Sequence, residues 1–331
     1  MKILFRVDAG GQIGLGHFYR SLNLADQLKK KGHIIIFSHL HSLFWSKITA
    51  NGFGFENKKL DIDFSEIQTY DFIINNDIDI YYVDGIIDFS ETFIENLKGK
   101  VKTIFYQNIG DSRQYADIFI LPSIHQKIEF FDIFTEKTKI YKGLKYLIFN
   151  SSVYQMEQKQ IFNTVISDVA ITAGGSDPEN TLLKIYELIN NLNISNINFI
   201  FFYGTDYLYR DDIPNNLSSN MKFKLYDLND ILRNDLVISS FGVSTYEFLC
   251  LGMPVISFGY KKGNADASDY LAIRTNSFIS LGRVDDLTDI VLKNAFEKIG
   301  SFEKRVELSN NSKRIIDFKG IKRVIYIIEN H

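Results

Sequence analysis

Short apolar runs alternate with stretches of helical period along the whole chain. Ile3-Leu4-Phe5 predicts the core of a buried strand, and Gly10-Gly11-Gln12-Ile13-Gly14-Leu15-Gly16 follows it as a glycine-rich loop. Leu22, Leu24, Ala25 and Leu28 then fall on one face of a helix over 17–31, which Gly32 stops. A second strand is predicted at 33–37. A strand, a crossover helix and a second strand make the unit from which parallel sheets are built. Further strands are predicted at 80–83, 103–106 and 118–121, with helices at 43–51 and 91–97.

A less regular stretch at 145–163 reads as a crossover between domains, after which the same grammar restarts. Strand 169–172 leads into Gly174-Gly175-Ser176-Asp177-Pro178 and then a helix from 178 or 179 to 190, since proline is well tolerated in a first turn. Strands follow at 197–203, 236–239 and 255–258. Before the last of these, Phe241-Gly242-Val243-Ser244 opens a helix that runs to 251 and ends at Gly252. Positions 313–329 predict one or two closing helices. The fold class is therefore α/β, with two doubly wound Rossmann-like domains at 1–150 and 151–312 and a helical tail at 313–331. In open parallel sheets ligands bind beyond the carboxyl ends of the strands, where the strand order reverses. Two such domains facing each other would place the site in the cleft between them.

The bulk composition removes several alternatives. At 331 residues the chain is long enough for two domains, and 45% hydrophobic with 23% charged residues is a globular balance. A formal net charge of −3 gives no global basic field, so no nucleic-acid partner is expected. The basic run Lys29-Lys30-Lys31 sits where the first helix should end, where cations complement the helix dipole. A single cysteine, Cys250, allows no disulfide framework and fits a reducing compartment. The opening apolar stretch is short and broken by Arg6 and Asp8, and no apolar run is long enough to span a bilayer. The expected protein is soluble and cytoplasmic, without a membrane span, with a single chain as its favoured state.

Three strand-to-helix loops carry the candidate chemistry. In the first, glycines at 10, 11, 14 and 16 let a ligand approach the backbone closely. Their spacing is neither the dinucleotide fingerprint nor a P-loop. His17 stands at the helix entrance, where the dipole favours the neutral ring, the form able to act as a general base; a plain helix cap is the alternative. The second loop, Gly174-Gly175-Ser176, offers backbone amides at a helix start, an arrangement suited to a diphosphate. The third, Gly242-Val243-Ser244-Thr245, repeats it, with Ser244 and Thr245 as capping hydroxyls and Glu247 placed to accept both hydroxyls of a ribose. Asp84 ends a buried strand just before Gly85 and is well placed for the cleft. His39 and His41 lack an accompanying carboxylate or cysteine cluster, so no metal site and no cofactor are predicted.

On particular residues the chain resembles a known family. Phe5-Arg6-Val7-Asp8-Ala9, Ile13-Gly14-Leu15-Gly16-His17 and Arg20-Ser21-Leu22-Asn23-Leu24-Ala25 look like the opening of the pseudaminic-acid-pathway UDP-sugar hydrolases, the PseG family. Those enzymes are related to the MurG glycosyltransferase and share its GT-B architecture. Gly174-Gly175-Ser176-Asp177-Pro178, Gly242-x-Ser244-Thr245-x-Glu247 and Leu251-Gly252-Met253-Pro254 are similar too. Where the family usually carries Asp-Asp after the strand at 103–106, this chain has Gln107-Asn108, and Leu121-Pro122 and Asn150 also depart from the usual pattern.

The resemblance implies UDP held by Gly174, Gly175, Ser176, Gly242, Val243, Ser244, Thr245 and Glu247. It implies sugar contacts from Asp8, Gly14, Gly16, Arg20, Asp84 and Asn264. His17 would activate water for inverting attack at the anomeric carbon, without a metal. The family substrate is UDP-2,4-diacetamido-2,4,6-trideoxy-β-L-altropyranose, and the product is a free deoxy-amino sugar for nonulosonic (pseudaminic-type) acid or surface-glycan biosynthesis. A GT-B glycosyltransferase, with an acceptor hydroxyl in place of water, is the alternative. A non-catalytic nucleotide-sugar binding protein is a third.

Overall fold

In the computed structural model, which describes residues 1–8, 16–40 and 54–330, the chain divides into two units: Met1–Ser151 with Lys319–His331, and Ser152–Phe318. The first unit is built on a parallel sheet of seven strands: β1 (Lys2–Val7), β2 (Ile34–His39), β3 (Glu56–Lys59), β4 (Ile80–Asp84), β5 (Lys102–Tyr106), β6 (Ile118–Leu121) and β7 (Lys139–Lys142). Their order is β3-β2-β1-β4-β5-β6-β7. The central strands are apolar and buried on both faces, as a parallel sheet covered by helices requires. Leu4, Tyr81, Val83, Phe105 and Phe119 pack on one face against Phe93, Ile94 and Leu97 of helix Glu91–Leu97. Ser90 caps that helix, its hydroxyl accepting from Phe93 N at 3.2 Å. The expected helix at 43–51, like His41 and most of the first glycine loop, lies outside the described residues.

The second unit repeats the plan with β8 (Asp168–Thr172), β9 (Asn198–Tyr203), β10 (Met221–Leu225), β11 (Leu236–Ser240), β12 (Val255–Gly259) and β13 (Ile279–Arg283). The order is β10-β9-β8-β11-β12-β13, all parallel. Its core gathers Val169, Ile171, Phe199, Phe201, Ile238 and Ile256 beneath Leu182, Ile185 and Ile189 of helix Thr181–Asn191.

Two expectations need correction. The helix expected from Pro178 or Glu179 begins at Thr181. Asp177 and Asn180 have positive φ, so the chain turns twice before the helix starts. The closing segment is not one tail at 313–331. Helix Phe302–Ile315 belongs to the second unit, while Gly320–Asn330 returns to the first. That last helix buries Ile321, Val324, Ile325, Ile327 and Ile328, a stripe at helical spacing that needs a core to cover it. Its Glu329 bridges Lys31 Nζ at 2.5 Å and His33 Nε2 at 3.0 Å, pinning it to the first β-α-β unit.

Candidate functional site

In the first sheet the strand order reverses between β1 and β4, the position at which open parallel sheets bind ligands. Asp84 is the last residue of β4, paired in register with Val7, and has no exposed surface. The helix after the glycine loop, Gly16–Lys30, supplies its partners. Positions 17, 20 and 21 share one helical face, being i, i+3 and i+4. Ser21 Oγ and Arg20 Nε each donate to Asp84 Oδ2 at 2.8 Å. His17 Nδ1 lies 2.9 Å from Oδ1, which Arg20 Nη2 also meets.

Arg20 Nη2 lies 2.6 Å from His17 Nδ1 as well. Nδ1 therefore faces a guanidinium donor and a carboxylate acceptor at once, and its role follows the tautomer of the ring. With the proton on Nδ1, the buried carboxylate accepts its hydrogen bond. In that tautomer Nε2 carries the free lone pair of the neutral ring, on a side chain 20% exposed. Burial alone would push the Asp84 carboxyl up, but the Arg20 guanidinium and the His17 ring together hold it below its ordinary value of 3.8. For Arg20, burial opposes the charged form, but Asp84 outweighs it and keeps the guanidinium protonated.

Arg20 is itself fixed on three sides. Nη1 donates to Gln107 Oε1 at 2.6 Å, and its guanidinium carbon sits 4.8 Å from the centre of the Tyr106 ring. Gln107 has φ of 51° and its N–H is held by Ile120 O at 2.8 Å, so the backbone aims this amide back at Arg20. Asn108 is fully buried and braces the loop after β4, donating to Ile87 O at 2.7 Å and accepting from Gly110 N at 3.1 Å. The Gln107-Asn108 pair thus has a local role at each position. Asp8 takes a different one. Its carboxylate accepts from Arg6 Nη2 at 2.7 Å and Leu40 N at 2.8 Å, tying the end of β1 to the end of β2. Gly16 begins the helix, and Gly14 lies outside the described residues.

In the second sheet the order reverses between β8 and β11, and these strands lead into the two other candidate loops. Gly174 has φ of 91°, a left-handed conformation that suits glycine. Asp177 anchors the turn: Oδ1 accepts from Thr181 N at 2.9 Å and Thr181 Oγ1 at 2.6 Å, and Oδ2 from Leu182 N at 2.8 Å. Burial nevertheless pushes the Asp177 carboxyl up, those three bonds only partly opposing it. Tyr207 Oη reaches Asn180 Oδ1 at 2.7 Å from the loop after β9. Gly175 and Ser176 stay at least partly exposed within this frame.

The turn after β11 is braced by Thr245. Its side chain is fully buried, Oγ1 lies 3.0 Å from Ser239 Oγ, and it donates to Ser240 O at 2.9 Å. Gly242, Val243 and Ser244 remain partly exposed at the start of helix Val243–Cys250. Glu247 is one turn further on and 7% exposed. Asn264 belongs to the first turn of helix Lys262–Thr275, not to a loop, and its Nδ2 lies 3.5 Å from Phe241 O. Cys250 is buried, which pushes its thiol up to about 12 and removes it as a nucleophile. Among the described residues no three His, Cys, Asp or Glu side chains are grouped to hold a metal, and no helix is long and apolar enough to cross a membrane.

Sequence reasoning singled out His17, Arg20 and Asp84 separately. The structure joins them, and adds Ser21, Gln107 and Tyr106. The i, i+3, i+4 spacing of His17, Arg20 and Ser21 was the available signal.

No family model matches the chain. It is 31% identical over 278 residues to an uncharacterized protein of Methanocaldococcus jannaschii, covering 77% of this chain, and spans about half (55%) of that relative's length. It is 22% identical over 350 residues to the spore coat polysaccharide biosynthesis protein SpsG of Bacillus subtilis, covering 100% of this chain and 98% of the relative. Among solved structures, MurG of Acinetobacter baumannii superposes with a TM-score of 0.71 at 12% identity, covering 100% of this chain and 99% of the other. The spinosyn rhamnosyltransferase SpnG complexed with thymidine diphosphate gives 0.66 at 12% identity, with 100% of both chains covered. The fold is therefore that of the GT-B glycosyltransferases, two Rossmann-like parallel-sheet domains, and a distant relative belongs to polysaccharide biosynthesis.

Proposed function

We propose that this chain is a UDP-sugar-processing enzyme of surface-glycan or nonulosonic acid biosynthesis, and within that class a UDP-sugar hydrolase. The observation that carries it is the His17–Asp84 pair at the reversal point of the first sheet. A buried carboxylate on Nδ1 fixes the tautomer and stabilises the imidazolium once Nε2 has taken a proton. In the proposed step water attacks the anomeric carbon while the bond from that carbon to the UDP oxygen breaks. The water proton goes to His17 Nε2, and the electron pair leaves with UDP. Gly174, Gly175 and Ser176 with Gly242, Val243 and Ser244 present backbone amides that suit the diphosphate, and Glu247 suits the ribose. Thr245 contributes by bracing the turn. Asn264 is proposed to face the sugar, while Arg20, Asp8 and Asp84 shape the crevice of the first sheet from behind.

Sugar transfer to an acceptor hydroxyl is the second reading, supported by the glycosyltransferase fold. A mass-spectrometric screen of UDP-sugars, with and without acceptor alcohols, separates the two. Hydrolysis predicts free sugar and UDP without acceptor. UDP release only when an acceptor is present overturns the hydrolase assignment, and tight UDP binding with no turnover in either arm overturns catalysis altogether.

A further inference from the structure

The turns proposed to hold the diphosphate, Gly174-Gly175-Ser176 and Gly242-Val243-Ser244, contain no cation, and Glu247 one helical turn further on is an acid. A departing diphosphate gains charge as its bond to the sugar breaks, and a fixed cation compensates that charge more strongly than neutral amides do. Lys261 is a cation placed between the two turns. It follows β12 and immediately precedes helix Lys262–Thr275. Its backbone is seated closely. A Cβ on Gly259 would lie 2.3 Å from Ala265 N, and Ala265 N donates to Lys261 O at 3.0 Å, so the first turn of the helix rests on the end of β12. Phe241 N donates to Phe258 O at 2.7 Å, which ties the start of the Gly242 turn to the same strand end.

The Lys261 side chain then reaches past a neighbouring strand. In the order β8-β11-β12, β8 and β12 flank β11 and lie roughly 10 Å apart at ordinary strand spacing. Lys261 Nζ is nevertheless 4.0 Å from Oε1 of Glu179, in the loop that follows β8. Their contact spans the carboxyl end of β11, where Gly242-Val243-Ser244 leaves the sheet, and closes on the loop that contains Gly174-Gly175-Ser176. Among the described residues Glu179 is the one ion-pair partner of Lys261, whereas Lys262 pairs with Asp266 of its own helix. The Lys261 and Glu179 side chains are 66% and 48% exposed. An ion pair that long and that exposed contributes little to stability, so a stronger anion displaces the carboxylate readily.

We propose that Lys261 is a further anion-binding residue of this site, exchanging the Glu179 carboxylate for a diphosphate oxygen of the nucleotide. The inference rests on the reading of the two turns as a UDP site. Lys261 keeps its proton throughout and acts by charge alone, and the electron pair of the broken bond still leaves with UDP. Glu179 holds the ammonium group across the turns and competes with the ligand for it. The two partners of one ion pair therefore have opposite effects on binding.

The test is calorimetry on the full chain with UDP, uridine and inorganic pyrophosphate. Lys261→Met should weaken UDP and pyrophosphate at least about tenfold and leave uridine unchanged, while Glu179→Gln should tighten both anions about two- to threefold. In the Lys261→Met background Glu179→Gln should have no effect, and Lys261→Arg should keep most of the affinity. Thermal unfolding should stay as in the parent, both side chains being exposed. Equal UDP binding by the parent and Lys261→Met overturns the role of Lys261 and leaves the UDP reading standing. Pyrophosphate binding that depends on Lys261, without UDP binding, supports the anion-binding residue and overturns the UDP reading instead. A parent that binds neither overturns both. Weakening of UDP by Glu179→Gln as well as by Lys261→Met overturns the exchange, because an ion pair that only shapes the loops is lost equally from either side.

Discussion

His17 Nδ1 lies 2.9 Å from Asp84 Oδ1, and that carboxylate has no exposed surface. The pair implies a division of labour that substitutions can separate. His17→Ala removes the proposed base and should cut UDP release by about a hundredfold or more, with UDP affinity nearly unchanged. Asp84→Asn keeps the shape but can place an N–H against Nδ1, favouring the wrong tautomer, so turnover should again fall by about a hundredfold or more. Steady-state rates with calorimetric UDP binding check both. Comparable loss of UDP binding in His17→Ala would make His17 a nucleotide or structural residue.

Arg20 and Asp84 form a buried ion pair, and breaking such a pair from one side leaves an unpaired charge. Arg20→Met should destabilise the protein by about 3–5 kcal/mol. Combining it with Asp84→Asn should recover part of that loss, because the remaining partner is then neutral. Urea unfolding of the two single variants and the double variant measures the coupling. Additive losses would mean that the guanidinium is held chiefly by Gln107 and Tyr106.

Two buried carboxylates should give opposite pH signatures. Asp84 is held below its ordinary value of 3.8 in the folded state, so its stabilisation is present above that value and is lost as pH falls through the lower folded value. Asp177 is pushed above 3.8 by burial, so its contribution is greatest below that value and declines as pH rises through the higher folded value. Unfolding free energies between pH 3 and 7 for Asp84→Asn and Asp177→Asn, each against the parent, should therefore change in opposite directions with pH. Parallel profiles would contradict the assignment.

The elements legible in the sequence were those buried on both faces. Every central strand announces itself as an apolar run, such as Ile80–Asp84 or Ile118–Leu121. The four unpredicted strands, β3, β7, β10 and β13, are the four sheet edges. Glu56–Lys59 is exposed throughout, Lys139–Lys142 carries a lysine at each end, and Met221–Leu225 alternates lysine with apolar residues. Edge strands carry charge because an apolar edge would pair with other chains, so the feature that protects them also hides them from a search for apolar runs. The site was legible by halves for a related reason. His17, Arg20 and Ser21 share a helix face, but Asp84 is 67 residues from His17, and only the β1–β4 pairing joins them.

The last prediction concerns a glycine outside every candidate motif. A Cβ on Gly204 would lie 1.9 Å from Gly175 O, a contact with backbone that no side-chain rotation relieves. Gly204→Ala must therefore displace the Gly174-Gly175-Ser176 turn, the loop after β9, or both. Overpacking of this kind costs about 1–3 kcal/mol. If the turn holds the UDP diphosphate, UDP affinity should fall at least about tenfold, since amides moved by a fraction of an ångström no longer converge on the phosphate oxygens. Glu247→Gln, which keeps the size of the side chain, should weaken UDP as well with a smaller stability loss, because its proposed role is a contact with the ribose. Calorimetric UDP binding and thermal unfolding on the two variants separate a displaced loop from a missing contact. Unchanged UDP affinity in Gly204→Ala, with the expected stability loss, would remove the Gly174–Ser176 turn from the nucleotide site.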